Sequence, residues 1–349
     1  MTPVRLGLIG CGNIARTAHL PALARLAPRV VLRAAADLNL EAATAAAKQW
    51  DATAHADYRE MIERPDIDAV LIATPEYMHE EQVVTAAQAG KHVLCEKPMC
   101  RSLEEADRML DACRRAGIVF LVGHSRRFTR RYMEVRRALD EGTIGEVRLA
   151  RENERRGTTH MARMGQAGTR WTPRHWTGDP ARAMGVALSH GIHEVDLLRW
   201  FLGAEPVSAY AEHEVTTPGN VGVPDFITFA LRFANGALAA GEISYNLPGT
   251  YPAYHQLELF GTTGAIRARD HDMAGLTMYG PEGATFPGNY EALLHNLPAY
   301  ARQLGEFVDA IEGWRPTRMP PEEARAALAC ALALIESART GREVEIAQA

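Results

Sequence analysis

The stretch Val4-Arg5-Leu6-Gly7-Leu8-Ile9-Gly10-Cys11-Gly12-Asn13-Ile14-Ala15 decides the architecture of this chain. Its apolar half predicts a short buried strand that breaks at Gly10, turns through Gly12 and enters a helix with the small Ala15 near its start. A strand-turn-helix with G-x-G-x-x-A spacing is a dinucleotide fingerprint. Gly10 permits the tight turn, Gly12 leaves bare backbone for an approaching pyrophosphate, and Ala15 lets helix and strand come close. Free N–H groups at the helix start favour an anion. Glycines end many strands, so the context has to carry the reading. A second apolar run, Val30 to Ala36, ends in Asp37, whose carboxylate suits a ribose diol and repels a 2′-phosphate. NAD is therefore favoured over NADP.

Working outward, apolar runs at 4–9, 30–36, 68–73, 91–95 and 118–122 alternate with helical, alanine-rich patterns. That alternation predicts an α/β Rossmann domain, a doubly wound parallel sheet. The third run ends at Ala73-Thr74-Pro75, where Pro75 has no N–H to extend a ladder, so the chain leaves the sheet at its ligand-binding carboxyl edge. From about residue 145 the texture changes to period-2 runs at 145–153, 206–215, 226–233, 237–245, 256–260 and 265–268, with Asn235-Gly236 as a hairpin turn. These predict a C-terminal α+β domain with a large, mostly antiparallel open sheet, plus helices near 192–202, 298–312 and 321–339. The expected division is a nucleotide-binding domain over 1–123 and a substrate-binding and oligomerisation domain over 124–349, with the last helix free to return to the first.

A chain of 349 residues suits two domains. With 47% hydrophobic and 23% charged residues, net charge −5 and pI near 6.2, it has the composition of a globular enzyme and no basic field for nucleic acid or anionic lipid. No apolar run approaches the ~20 residues a bilayer needs. Met1 to Arg5 run straight into the first strand with no apolar leader pattern, so a cytoplasmic protein is expected. The cysteines at 11, 95, 100, 113 and 330 have no C-x-x-C spacing, so they are expected as reduced, buried thiols without a disulfide or zinc site.

Only Lys48, Lys91 and Lys97 among 38 basic residues are lysines. Where a plain positive charge suffices, this chain uses arginine. Lys97 follows the strand Lys91-His92-Val93-Leu94-Cys95 at its carboxyl end, and a lysine can lose its proton in a protein whereas an arginine cannot. A surface lysine after a strand is the bland alternative. His193 and Asp196, one turn apart at the start of a predicted helix, offer an imidazole for a substrate hydroxyl or carbonyl with a carboxylate to orient it; helix capping is the alternative, and two ligands make a poor metal site.

The segments Gly10 to Ala15, Ala73-Thr74-Pro75 with His79, and Ala89-Gly90-Lys91-His92-Val93-Leu94-Cys95-Glu96-Lys97-Pro98 resemble the Gfo/Idh/MocA oxidoreductases, relatives of glucose–fructose oxidoreductase and inositol dehydrogenase. Gly185 to Trp200 and Val122 to Phe128 are similar to two further signatures of that family. The resemblance implies an NAD(P)-dependent dehydrogenase acting on CH–OH groups, with Lys97 and His193 catalytic, a cis Lys97–Pro98 bond, and an open sheet that builds homodimers or homotetramers. It implies a cofactor site of Gly10, Gly12, Asn13, Ile14, Asp37, Thr74, Pro75, His79, Glu96 and Lys97. Lys97, Arg127, Arg174, Trp176, Ser189, His190 and His193 would meet the substrate. Ser189 stands where the family usually has aspartate, so a Lys-Asp-His relay is not expected in its usual form, and His190 is a candidate replacement.

Arginines at 148, 151, 155, 156, 163, 170, 174 and 182 face only three acids, Glu152, Glu154 and Asp179. Surface ion pairing or a subunit contact is one reading; a carboxylate clamp by Arg170 or Arg174 is the other. The expected reaction moves a hydride between a secondary alcohol of a sugar, cyclitol or related hydroxy compound and nicotinamide. Three alternatives stay open: a carboxylated cyclic substrate from aromatic breakdown, transient use of tightly held NAD for elimination or glycoside cleavage, and a non-catalytic regulatory protein.

Overall fold

The computed structural model describes residues 2–157, 179, 181–216, 222–247, 254–269, 276–280, 283–285 and 297–348. The chain forms two compact units, Met1–Phe128 with His295–Arg325, and Thr129–Leu294 with Ala326–Ala349. The first unit thus combines an amino-terminal stretch with a C-terminal one.

The first unit is built on a six-stranded parallel sheet of β1 (Val4–Ile9), β2 (Val30–Ala36), β3 (Thr53–His55), β4 (Ala69–Ile72), β5 (His92–Cys95) and β6 (Phe120–Val122), in the order β3-β2-β1-β4-β5-β6. Strands β4, β5 and β6 are buried at every residue, as parallel strands covered on both faces must be. The crossover helices are α1 (Leu20–Leu26), α2 (Leu40–Lys48), α3 (Tyr58–Ile62), α4 (His79–Gln88) and α5 (Leu103–Ala116). Before α1 the backbone makes a π turn over Ala15–His19. Pro21 has no N–H for the carbonyl four residues back and its ring crowds it, and the widened turn absorbs that misfit. The sequence pattern misses β3 and α3 because they are three and five residues long, too short for a periodic signal.

The second unit carries α6 (Arg130–Asp140), β7 (Val147–Gly157), α7 (Gly185–Ser189), α8 (Gly191–Leu202), β8 (Pro206–Glu214), β9 (Phe226–Phe233), β10 (Leu238–Leu247), β11 (Tyr254–Gly261), β12 (Ala265–Arg269), β13 (Leu276–Gly280), β14 (Gly283–Thr285) and β15 (Val344–Glu345). Its nine-stranded sheet has the order β14-β13-β12-β11-β7-β10-β9-β8-β15, antiparallel except where β7 and β10 run parallel. The Asn235-Gly236 hairpin forms as read, with Gly236 at φ 82°. Register gives the two faces opposite characters. Ala239, Ala150, Leu259, Ile266 and Met278 share one buried row, whereas Leu238, Phe260 and Tyr279 share the opposite face and stay 43%, 37% and 39% exposed. Two further helices, α9 (Leu297–Gly313) and α10 (Pro321–Thr340), end the chain, and the unit boundary falls within α10. Among the described residues no helix is long and apolar enough to cross a membrane.

Candidate active site

At the carboxyl edge of the first sheet the glycine loop has little freedom. Gly10 sits at φ 90°, and a Cβ there would meet the Ala73 carbonyl at 2.8 Å, so only glycine fits. Around Gly12 nothing lies within 4 Å of an added Cβ, which leaves the loop's outer side open for a group as large as a phosphate. Asn13 is exposed and Ile14 half-buried at the helix entry, where the Asn13 carbonyl accepts from the Thr17 hydroxyl at 2.8 Å. Asp37 stands at the end of β2 with its carboxylate pinned by the backbone N–H groups of Cys11 and Asn39, both at 2.8 Å. A glycine cradle beside a fixed acid is the donor and acceptor set a dinucleotide requires.

The Thr74-Pro75 corner after β4 lies beside the corner after β5. The Thr74 hydroxyl donates to Gln82 at 2.6 Å, and its carbonyl lies 2.9 Å from His79 Nε2. His79 is 1% exposed, and its Nδ1 faces the Pro98 carbonyl at 2.9 Å. Burial dominates its titration and pulls it below the ordinary histidine value, ahead of the opposing pull of those carbonyls and of Glu96. Both ring nitrogens lie against main-chain carbonyls, so His79 bridges the corner after β4 and the corner after β5.

Ladder bonds from Glu96 N–H to Ile72 O at 2.8 Å and from Gly123 N–H to Cys95 O at 2.7 Å carry the sheet to its last residue before Lys97. A Cβ on Gly123 would come within 3.1 Å of Glu96 Cα, so a side chain there would press against the strand end that carries Glu96. The Lys97–Pro98 bond is cis. Glu96 is 6% exposed; its Oε1 accepts from His19 Nε2 at 2.7 Å and its Oε2 accepts from the Lys97 backbone N–H at 3.1 Å. Burial pushes the Glu96 carboxyl up, but the His19 bond, the His19 and Lys97 charges and the Lys97 N–H together hold it below the usual glutamate range. Lys91, by contrast, is structural: its ammonium donates to the carbonyls of Arg64 and Ile67, each at 2.9 Å. Arg127 is 9% exposed and donates to Glu323 at 3.1 Å.

In the second unit, His193 and Asp196 lie one turn apart on α8, 7% and 1% exposed. The Ser189 hydroxyl lies 3.1 Å from His190 Nδ1, and the His190 ring packs 4.1 Å from the Tyr245 ring, which the Arg156 guanidinium faces at 5.5 Å. Ser189, His190 and His193 lie together here, joined by Tyr245, which the sequence gives no role, and by Arg156, which it gives only as one of an arginine-rich stretch; the only signal of either is that it alternates inward on its strand. Arg170, Arg174 and Trp176 lie outside the described residues. Behind α8, Glu152, Glu194 and His255 bring ligand-type atoms within 4.8 Å of one another, all buried. His255 Nε2 donates to Glu152, and the Tyr132 hydroxyl bonds Nδ1 at 2.7 Å, so the ring is engaged on both sides by hydrogen bonds.

Residues 4–124 match a family described as "Oxidoreductase family, NAD-binding Rossmann fold", and residues 132–267 match the GFO/IDH/MocA C-terminal domain. The chain belongs to the GFO/IDH/MocA family. It is therefore an NAD-binding oxidoreductase of that family. It is 31% identical to 1,5-anhydro-D-fructose reductase of Ensifer adhaerens, with 98% of each chain covered. It is also 30% identical to inositol 2-dehydrogenase of Rhizobium meliloti (strain 1021), with 99% of each covered. Among solved structures, levoglucosan dehydrogenase in complex with NADH and levoglucosan is similar over 99% of this chain and 100% of that one, at 26% identity and TM-score 0.87.

Proposed function

We propose that this GFO/IDH/MocA protein interconverts a secondary alcohol and its ketone in a sugar, cyclitol or related polyhydroxy compound, with Lys97 as general acid/base. The observation that carries the reading is the Lys97 corner: the lysine follows β5 at the sheet's carboxyl edge, the same edge that bears the glycine loop and Asp37. Gly10, Gly12, Asn13, Ile14, Asp37, Thr74 and Pro75 would hold NAD, and the nicotinamide supplies the hydride acceptor when bound. Lys97 takes the hydroxyl proton in oxidation and returns it in reduction. His193 fixes the substrate oxygen, and Ser189 with His190 stands in place of the family's aspartate. The names of the relatives support polyols and anhydro sugars as first substrates to try.

The test is to incubate the protein with NAD⁺ and a panel of inositols, levoglucosan, other sugars and hydroxy acids, and with NADH and ketosugars in the reverse direction, while following NADH absorbance. Turnover of a polyhydroxy compound that disappears in Lys97→Met supports the reading. A Lys97→Met variant with unchanged turnover contradicts it. The exposed sheet face with Tyr210, Leu238, Phe260 and Tyr279 supports a homodimer or homotetramer through that face. Leu238→Glu with Phe260→Asp should then reduce the mass measured by light scattering, and an unchanged mass would speak against this face.

A further inference from the structure

His19 is a buried imidazole at the Lys97 corner to which the sequence gives no role. It is 3% exposed on the π turn that follows the glycine loop, and it donates from Nε2 to Glu96. Its ring and that of Tyr300 on α9 meet in a T-shaped pair, with centroids 5.1 Å apart and planes at 86°. The carboxylate it holds spans two elements, with one oxygen on His19 and the other on the Lys97 backbone N–H. We propose that His19 is a positioning residue for Lys97, acting through Glu96. The inference rests on the reading of Lys97 as acid/base.

The physical argument has two parts. First, a carboxylate buried this deeply stays ionised only while donors face it, and His19 supplies a side-chain donor. Second, an ionised Glu96 beside Lys97 sets both the direction of the Lys97 backbone and the field at its ammonium. Among the described residues, the titratable groups that act on or feel Glu96 include His19 from the π turn, Lys97 itself, His79 of α4 and Cys95 of β5. His79 is held neutral by burial, and Cys95 by a thiol titration pushed far up, also chiefly by burial. His19 and Lys97 are the partners that hold Glu96 ionised against its burial. The same helix start carries the glycine loop, so one short segment would both receive the dinucleotide and steady the lysine.

The experiment compares His19→Ala, His19→Gln, Glu96→Gln and the double variant His19→Ala/Glu96→Gln, with Lys97→Met as control. Readouts are NAD⁺ affinity, kcat, KM, melting temperature and the pH profile of kcat/KM. His19→Ala should leave NAD⁺ affinity near wild type while kcat falls about tenfold or more, because a displaced general base acts poorly. Its base limb should move to lower pH: without its donor Glu96 takes a proton, and a neutral neighbour no longer favours the ammonium. Glu96→Gln should move the limb the same way. His19→Gln, whose amide can still donate to Glu96, should recover most of the rate. The double variant should be no worse than the poorer single one, because both act through one link. A wild-type kcat and unmoved limb in His19→Ala, or losses that multiply in the double variant, would overturn the inference. If His19→Ala does not fold, His19→Gln and Glu96→Gln decide the matter: an unmoved limb in Glu96→Gln overturns it. An active Lys97→Met sinks the acid/base reading itself, whereas an inactive Lys97→Met with a silent His19→Ala sinks only the role given to His19.

Discussion

Alanine at Gly12 separates a ligand-binding role from a structural one, because Gly10 two residues earlier provides a matched contrast. At Gly12 the backbone is outside the left-handed region, the residue is exposed, and an added Cβ meets nothing within 4 Å. Gly12→Ala should therefore leave the fold intact and even stabilise it by about 0.4–1 kcal/mol through a less flexible unfolded chain. At Gly10 the φ of 90° and a Cβ 2.8 Å from the Ala73 carbonyl make strain unavoidable. Gly10→Ala should destabilise by roughly 3 kcal/mol, the sum of a strained backbone and an overlap with main chain. For a unit of this size that is a melting temperature about 6–12 °C lower. Binding should rank differently. If Gly12 lies where the pyrophosphate comes closest, its new methyl group removes one charge-assisted bond worth about 1.5–3 kcal/mol, a loss of roughly tenfold to a hundredfold in NAD⁺ affinity. Scanning calorimetry and NADH fluorescence titration read the two effects separately. A Gly12→Ala protein that melts like wild type and binds NAD⁺ like wild type would refute the placement of the cofactor on this loop.

Further outcomes follow from the buried polar groups. Glu96 has a folded pKa below its ordinary 4.5, so it contributes stability above that value and loses it as pH falls through the lowered one. The advantage of wild type over Glu96→Gln in melting temperature should shrink from about pH 5 downward, and parallel curves would contradict this. Tyr132→Phe removes the hydroxyl from His255 Nδ1 in a site where both residues are buried. The expected loss is about 2 kcal/mol, read as a melting temperature roughly 4–8 °C lower, and an unchanged value would show that the bond is dispensable.

Much of this was legible in the residues. Gly10, Asp37 and Pro75 each announce a physical constraint, namely a positive φ, an acid at a strand end and a missing N–H, and the structure places all three at one edge of one sheet. The period-2 runs locate β8 to β12 because one face of each is buried. What escaped depends on contacts between residues distant in sequence. That the two nitrogens of His79 face Thr74 and Pro98 cannot be read from the residues around it. His19 reads as one helical residue among others until Glu96, 77 positions away, accepts from it. Glu152 and His255 are unremarkable on alternating strands until β7 and β11 pair and bring them together. The return of α9 to the first unit has no local signature, because an amphipathic helix does not encode which surface it covers.

The most direct test of the account is single-turnover reduction of NAD⁺ by wild type and by Lys97→Met, each first saturated with cofactor, measured across pH with the best substrate from the panel. The account predicts a wild-type rate that rises with pH as Lys97 loses its proton, and a variant rate slower by about 10²–10⁴ and flat in pH, with NAD⁺ affinity preserved. A Lys97→Met rate within a few-fold of wild type, and following the same pH curve, would contradict it.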